Sequence, residues 1–353
     1  MTPDVEALGA AVLSRYSPDE FPALWQIISS GERPIDGLRV LDSFPVFHNT
    51  LAHHWAMLAA GADLTIRVGT GIPDDPAVTG LLAEWGIPVV SRTDPTDTYD
   101  VVLDTAGHNA GQPTHHGYVE LTKSGESVYA DCDRPVFLID AGRIKLIENT
   151  LGTGDGFVRA MTHLGHPVTP DMAVVVFGAG KVGLGTVGSC RALGAPVTVV
   201  DSAARLAELE AHLPGDVTAV ASEQYAEVVS AITSAGCVVT ATGVPAALSS
   251  YADELERSSA LLANMGADDE FGAAVPPARV LHDKAPVNFA LPEPTRLRFI
   301  DPSLALAVVG AEAVATGELA PGINVPAPQV EERILRTLRD HGTIAQALAT
   351  MGL

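Results

Sequence analysis

Val174-Val175-Val176-Phe177-Gly178-Ala179-Gly180-Lys181-Val182-Gly183 is the stretch that decides the fold of this chain. An apolar run of strand length feeds into Gly-x-Gly-x-x-Gly, then a helix-like segment to Leu193, a turn at Gly194, a second apolar strand from Val197 to Val200, and Asp201. A dinucleotide needs its parts in that order. Gly178 permits the tight turn, Gly180 lets the backbone approach a pyrophosphate, and Gly183 allows helix to pack closely on strand. The helix that begins at Lys181 and Val182 offers free N–H groups and the positive end of its dipole to phosphates. Asp201 follows about twenty residues after the loop, where a carboxylate bonds ribose hydroxyls and repels a 2′-phosphate. The segment reads as a Rossmann domain whose cofactor is NAD.

Working outward, the same alternation runs through the N-terminal part. Helices are predicted over Pro22 to Ser30, Thr50 to Gly61 and Pro76 to Trp85. Strands are predicted over Leu38 to Pro45, Leu64 to Val68, Pro88 to Ser91 and Val101 to Leu103. Short apolar runs alternating with helices mean a parallel sheet covered on both faces. A helix from Lys145 to His163 then leads into the glycine-loop region, with later strands at Val238–Thr240, Leu261–Asn264 and Val287–Phe289. Asp301 to Thr316 reads as an apolar helix with Pro302 in its first turn, and further helix spans Val330 to Leu348. The fold class is α/β with two doubly wound parallel-sheet domains. The divisions read as 1–150, 151–290 (the Rossmann domain), and C-terminal helices over 291–353 that return to the first domain, leaving an interdomain cleft for a ligand.

At 353 residues and 47% apolar composition, no run nears the ~18 apolar residues of a membrane span. Met1 to Leu13 holds Asp4 and Glu6 and no basic segment, unlike a signal peptide. Cys132, Cys190 and Cys237 lack metal or disulfide spacing, so a reducing cytoplasm is expected. The net charge of −22 argues against nucleic-acid partners and anionic membrane surfaces. A small-molecule substrate is the expected partner. His53-His54 and His115-His116 are adjacent pairs whose side chains, on a helix, should point apart, and no third ligand has suitable spacing, so no metal is expected. His108 follows a strand end, a common ligand position, or else is a solvated loop histidine.

Several collinear segments resemble S-adenosylhomocysteine hydrolase from about Phe21 onward. Val46-Phe47-His48-Asn49-Thr50 looks like that family's Leu-His-Met-Thr turn, and Ala59-Ala60-Gly61-Ala62-Asp63 through Gly86-Ile87-Pro88-Val89 matches its Leu-Gly-Ala-Glu to Gly-Ile-Pro-Val stretch. Glu120 to Gly125 resembles Glu-Glu-Thr-Thr-Thr-Gly, and Glu148-Asn149-x-x-Gly152 resembles Asp-Asn-x-x-Gly. Thr240-Ala241-Thr242-Gly243, Asn264-Met265-Gly266 and Val287-Asn288 resemble the edges of its NAD pocket. The resemblance implies His48, Lys145, Glu148 and Asn149 as catalytic candidates. It adds Thr122, Ser124, Thr242, Gly243, Gly266 and Asn288 to Gly178, Gly180, Lys181, Val182, Gly183 and Asp201 as cofactor-binding residues. It also implies a homo-oligomer, although the chain stops at Leu353, before the family's basic, tyrosine-containing tail.

Against the resemblance, the family's nucleoside-gripping groups fall on Ala52, Thr105, Leu121 and Ala267, and its catalytic lysine falls on Ile144, one residue before Lys145. An apolar replacement leaves a substrate hydroxyl or amine unpartnered, at a cost of about 1–3 kcal/mol per group. The leading expectation is therefore an NAD-dependent oxidoreductase altered in substrate, acting on a hydroxyl- or amine-bearing carbon of a small polar metabolite. The alternatives are a hydrolase or lyase using bound NAD as internal oxidant and a catalytically silent NAD-binding regulatory homologue. Each candidate has a plainer role: a satisfied structural histidine for His48, a surface ion pair for Lys145 and Glu148, and turn capping for Asn264 and Asn288.

Overall fold

In a computed structural model that describes residues 2–69, 72–92 and 97–353, the chain divides into two units. The first comprises Met1–Glu148 and Arg296–Leu353, the second Asn149–Thr295.

The first unit is built on strands β1 (Arg39–Asp42), β2 (Asp63–Val68), β3 (Val89–Ser91), β4 (Tyr99–Asp104), β5 (Thr114–Glu120) and β6 (Pro135–Leu138). The second holds β7 (Val174–Phe177), β8 (Val197–Asp201), β9 (Thr218–Ala221), β10 (Cys237–Thr240) and β11 (Leu261–Asn264), and β12 (Gly322–Asn324) returns to the first sheet. Their orders are β12-β6-β5-β4-β1-β2-β3 and β11-β10-β7-β8-β9. Every pair is parallel. In each sheet the order reverses beside the first strand, between β1 and β4 and between β7 and β10. Such switch points leave a crevice at the strands' carboxyl ends. The doubly wound α/β class read from the sequence is the class observed.

Period-2 alternation explains why β7 sits at the centre of its sheet. Val174 and Val176 join one core with Phe157, Met161, Val187 and Val239, while Val175 and Phe177 join another with Val228, Ile232, Leu255 and Leu262. All four strand residues are buried, each worth about 1.5–3 kcal/mol of transfer free energy. In the first unit, helix Leu297–Ala315 lies against β4, β5 and β6, and Gly310 lets it close on Phe137.

Three elements differ from the sequence reading. Val287–Ala290 is a 3₁₀ turn, not a strand, since Pro286 and Pro292 bracket it and the sheet already ends at β11. The apolar helix begins at Leu297, which places Pro302 inside it, in the second turn. The segment after Lys145 is helical, but Ile147–Gly152 is wound as a wide π turn before Thr153–His163 continues as α-helix. Strands β5, β6, β9 and β12 and helix Val5–Leu13 carry no clear signature in the sequence: β5 starts with Thr-His-His-Gly, and the other strands are only three or four residues long.

Candidate functional site

The glycine loop is assembled by two close contacts. Gly178 has φ +103° and packs on the Ala241 carbonyl, and a side chain there would collide with it. Gly183 lies against the Gly178 carbonyl, seating helix Lys181–Ala192 directly on the strand end. Gly180 is exposed, and a Cβ built on it meets nothing, so the backbone is open on the side a pyrophosphate would approach. No side chain caps this helix, so the N–H groups of Lys181, Val182 and Gly183 lie where a phosphate would need donors. Lys181 and Val182 are half-buried, and Val182 packs on the core.

Asp201 ends β8. One of its oxygens accepts from the Ala179 amide at 2.6 Å and the other from Ser202 at 2.7 Å. The carboxylate thus bridges the end of β8 and the glycine loop, where ribose hydroxyls would meet it. Arg205 has a part that no sequence pattern signals. It donates through Nε and Nη2 to the Ala179 carbonyl at 3.2 and 3.1 Å, and so braces the loop from the other side.

Beyond β10, the amides of Thr242 and Gly243 are already committed to the buried carboxylate of Glu270. Gly266 makes room for that carboxylate, which a Cβ would strike. Asn264 is fully buried. Its Oδ1 accepts from Thr240 Oγ1 and the Gly266 amide, and its Nδ2 donates to the carbonyls of Gly266, Asp268 and Lys284. That is a capping role with both ends of the amide in use. Asn288 is buried against Gly156 of helix Thr153–His163.

In the first unit the strand ends carry carboxylates. Asp42 closes β1 at zero exposure, and Nε2 of both His53 and His54 approaches its Oδ2, at 3.1 and 3.5 Å. The two histidines therefore converge on one oxygen, contrary to the expectation that they point apart. Burial would raise the Asp42 carboxyl, but the attraction of His53 and His54 outweighs it and holds the group well below its usual range. Asp104 closes β4 and accepts from Thr105 and Asn109 amides, Asn109 Nδ2 and Tyr129 OH. Glu120 closes β5 and accepts from the amides of Ala106, Gly107 and Thr122 and from Thr122 Oγ1. Burial, then the charge of Asp104, pushes Glu120 up to about 7. Its grip holds the left-handed pair Ala106 (φ +59°) and Gly107 (φ +70°). Thr122 thus serves Glu120, and its Oγ1 lies 3.1 Å from that of the exposed Ser124.

His48 is half-buried, with a buried Nδ1 that has no hydrogen-bond partner; burial, then the charge of Arg15, pushes its imidazole below the usual value. His108 is exposed. Lys145 is only 2% exposed, and its Nζ meets Glu148 Oε1 at 2.7 Å, with the glutamate side chain 12% exposed. Glu148 Oε2 is buried and makes no hydrogen bond. This pair is not solvated. Asn149, half-buried, begins the second unit.

Residues 156–251 match the family model of the C-terminal domain of alanine dehydrogenase/PNT. No curated protein matches the chain. Similar solved structures include a dipicolinate synthase polypeptide from Bacillus halodurans, 15% identical, with 79% of this chain and 98% of that one covered and a TM-score of 0.46. Its counterpart in the dipicolinate synthase of Bacillus subtilis is 14% identical over 81% and 99%, with a TM-score of 0.46. Transhydrogenase from Sinorhizobium meliloti is 15% identical over 80% and 96%, with a TM-score of 0.43. The family match falls on the glycine loop and Asp201, and the second unit is a Rossmann domain that binds a nicotinamide dinucleotide. The family match supports an oxidoreductase-like role for the chain, and it does not single out adenosylhomocysteine hydrolase. Among the described residues no helix is long and apolar enough to cross a membrane, and no cluster of side chains is arranged to hold a metal ion.

Proposed function

We propose that the protein is an NAD-dependent oxidoreductase that exchanges a hydride with a hydroxyl- or amine-bearing carbon of a small polar metabolite. The observation that carries this reading is the buried Lys145–Glu148 pair, in which one glutamate oxygen is held by the ammonium and the other is unpartnered. When bound, the dinucleotide supplies the hydride acceptor. Oxidising an alcohol or amine also requires a base for the O–H or N–H proton. Glu148 Oε2 has the free lone pairs for that proton, and Lys145 fixes the carboxylate's direction. His48 is neutral near pH 7 because its imidazole is pushed down, and its unpartnered Nδ1 makes it a second candidate for a substrate hydrogen bond.

Charge and polarity support a substrate unlike the nucleoside of the resembled family. Leu121 and Ala52 are buried apolar residues where that family has gripping carboxylates, and Ile144 is fully buried where it has a lysine. Asp42, Asp104 and Glu120 lie beneath the carboxyl edge of the first sheet. Arg67, the buried cation near them, is turned to the carboxamide oxygens of Asn109 and Gln112 at 2.9 and 2.8 Å.

The test is turnover of a panel of amino alcohols, polyols and amines with NAD⁺, following nicotinamide absorbance and product together. Stoichiometric NADH supports the reading. Product without net NADH moves the assignment to an internal redox cycle, and cofactor binding without turnover of any substrate moves it to a silent homologue.

A further inference from the structure

We propose that Glu270 is a positioning residue of the dinucleotide cradle, holding the turn after β10 against the glycine loop so that cofactor affinity depends on its carboxylate. The turn Ala241-Thr242-Gly243 forms one wall of the cradle, because Gly178 packs directly on the Ala241 carbonyl and the Thr242 amide. The Ala241 amide is held by the Phe177 carbonyl at 2.8 Å, and within the turn the Val244 amide donates to Thr242 Oγ1 at 3.1 Å, but the Thr242 and Gly243 amides take their acceptor from elsewhere. Glu270 supplies it from the segment after β11. Its Oε2 accepts from the Thr242 amide at 2.8 Å and from Thr242 Oγ1 at 2.9 Å, and its Oε1 accepts from the Gly243 amide at 2.7 Å. Consecutive backbone amides converging on one point form an anion nest. Here the anion is the protein's own, so the two amides are not available to a cofactor phosphate.

The carboxylate is delivered by a buried scaffold. Asn264 ties the end of β11 to Thr240 of β10 and orders Gly266 and Asp268 on the way to Glu270. Gly266 is needed there because a side chain would occupy the place of Glu270 Oε1. The first unit repeats the device on its own sheet: Glu120, ending the strand beside β4, pins the Ala106 and Gly107 amides of the turn after β4, and Gly125 leaves space for it.

Charged groups near Glu270 are few. On its own segment Asp268 is exposed, and Asp269 is paired with Lys284 of turn Leu281–Lys284 at 2.7 Å. The ends of β10 and β11 present only the hydroxyls of Thr240 and Thr242 and the Asn264 amide. Burial pushes the Glu270 carboxyl above its ordinary value. Protonation puts a hydrogen where an amide donor now points, so NAD⁺ affinity should weaken as pH falls through that raised value.

The experiment is isothermal titration of the full chain with NAD⁺ from pH 8 down to pH 4.5, the ordinary value of a glutamate carboxyl, so that any raised value falls inside the window, for wild type, Glu270→Gln and Gly266→Ala. Wild type should bind more weakly as pH falls. Glu270→Gln, which loses one of the two acceptor oxygens, should bind about tenfold more weakly at pH 8 and show a flattened pH dependence. Gly266→Ala should weaken binding through displacement of the same carboxylate. Wild-type affinity that is flat across this range overturns the proposal without reference to any variant, as does Glu270→Gln binding with wild-type affinity and pH profile. Wild type that does not bind NAD⁺ at all overturns the cofactor assignment, and this inference with it.

Discussion

Removing Lys145 or Glu148 singly should be far more damaging than removing both. Exposed ion pairs are worth about 0–1 kcal/mol, but Lys145 is 2% and Glu148 12% exposed, with 2.7 Å between Nζ and Oε1. Breaking such a pair from one side strands a charge away from water and typically costs about 3–5 kcal/mol. Lys145→Met leaves the somewhat wetter glutamate alone, so about 3 kcal/mol is expected. For a unit of this size that lowers Tm by roughly 6–12 °C. Glu148→Leu strands the drier ammonium and should cost at least as much. The double variant, with two apolar side chains of similar volume, should return to within about 1 kcal/mol of wild type. Thermal and urea unfolding of the four proteins gives the coupling energy directly. Additive single costs, or a Lys145→Met cost under about 1 kcal/mol, would refute the account of a desolvated pair. Turnover separates structure from chemistry: the double variant should regain stability and remain inactive. Wild-type turnover in it would remove both residues from the proposed proton path.

Asp301 and Asp201 give two further expectations. Asp301, at zero exposure, accepts from the Ala23 and Leu24 amides and so caps helix Pro22–Ser30, and burial pushes its carboxyl from 3.8 up to about 7. The native state therefore binds this proton more tightly than the unfolded chain. Its contribution to stability is full below about pH 4 and is lost as pH rises to about 7, by at most about 4 kcal/mol. Urea unfolding should show the difference between wild type and Asp301→Asn changing across that window; a constant difference would remove the assignment. Asp201→Ala should weaken NAD⁺ binding about tenfold or more, since it removes the ribose contact and leaves the Ala179 amide without its acceptor. It should also narrow the gap between NAD⁺ and NADP⁺ in a titration, and an unchanged ratio would refute its part in cofactor choice.

What could be read in the sequence was whatever depends on residues close together along it. The glycine loop, the strands on either side of it and Asp201 fall within twenty-eight residues, from Val174 to Asp201, and each has a local reason to be what it is. Helix Pro22–Ser30, expected over the same residues, has proline at its first position and Gly31 directly after its last, both of them local signs. The short strands at the sheet margins could not be read, since three or four residues at an edge need no alternating pattern. The convergence of His53 and His54 on Asp42 was hidden for a different reason: a helical spacing rule says where side chains leave the backbone, not how far rotation about their own bonds can swing two rings toward one buried charge. Glu120, Glu270 and Asp301 show the deeper limit. Each binds backbone amides of a segment 14, 28 or 278 residues away, and a backbone amide is the same at every residue except proline, so the partner leaves no trace in its own identity. The only local signs are a carboxylate at or just beyond the end of an apolar run and, for Glu120 and Glu270, a nearby glycine with no turn to explain it. Gly125 and Gly266 are those glycines, and each lacks a side chain because a carboxylate stands where the side chain would be. A glycine four or five residues from such an acid is thus a better pointer to a pinned loop than either residue read alone.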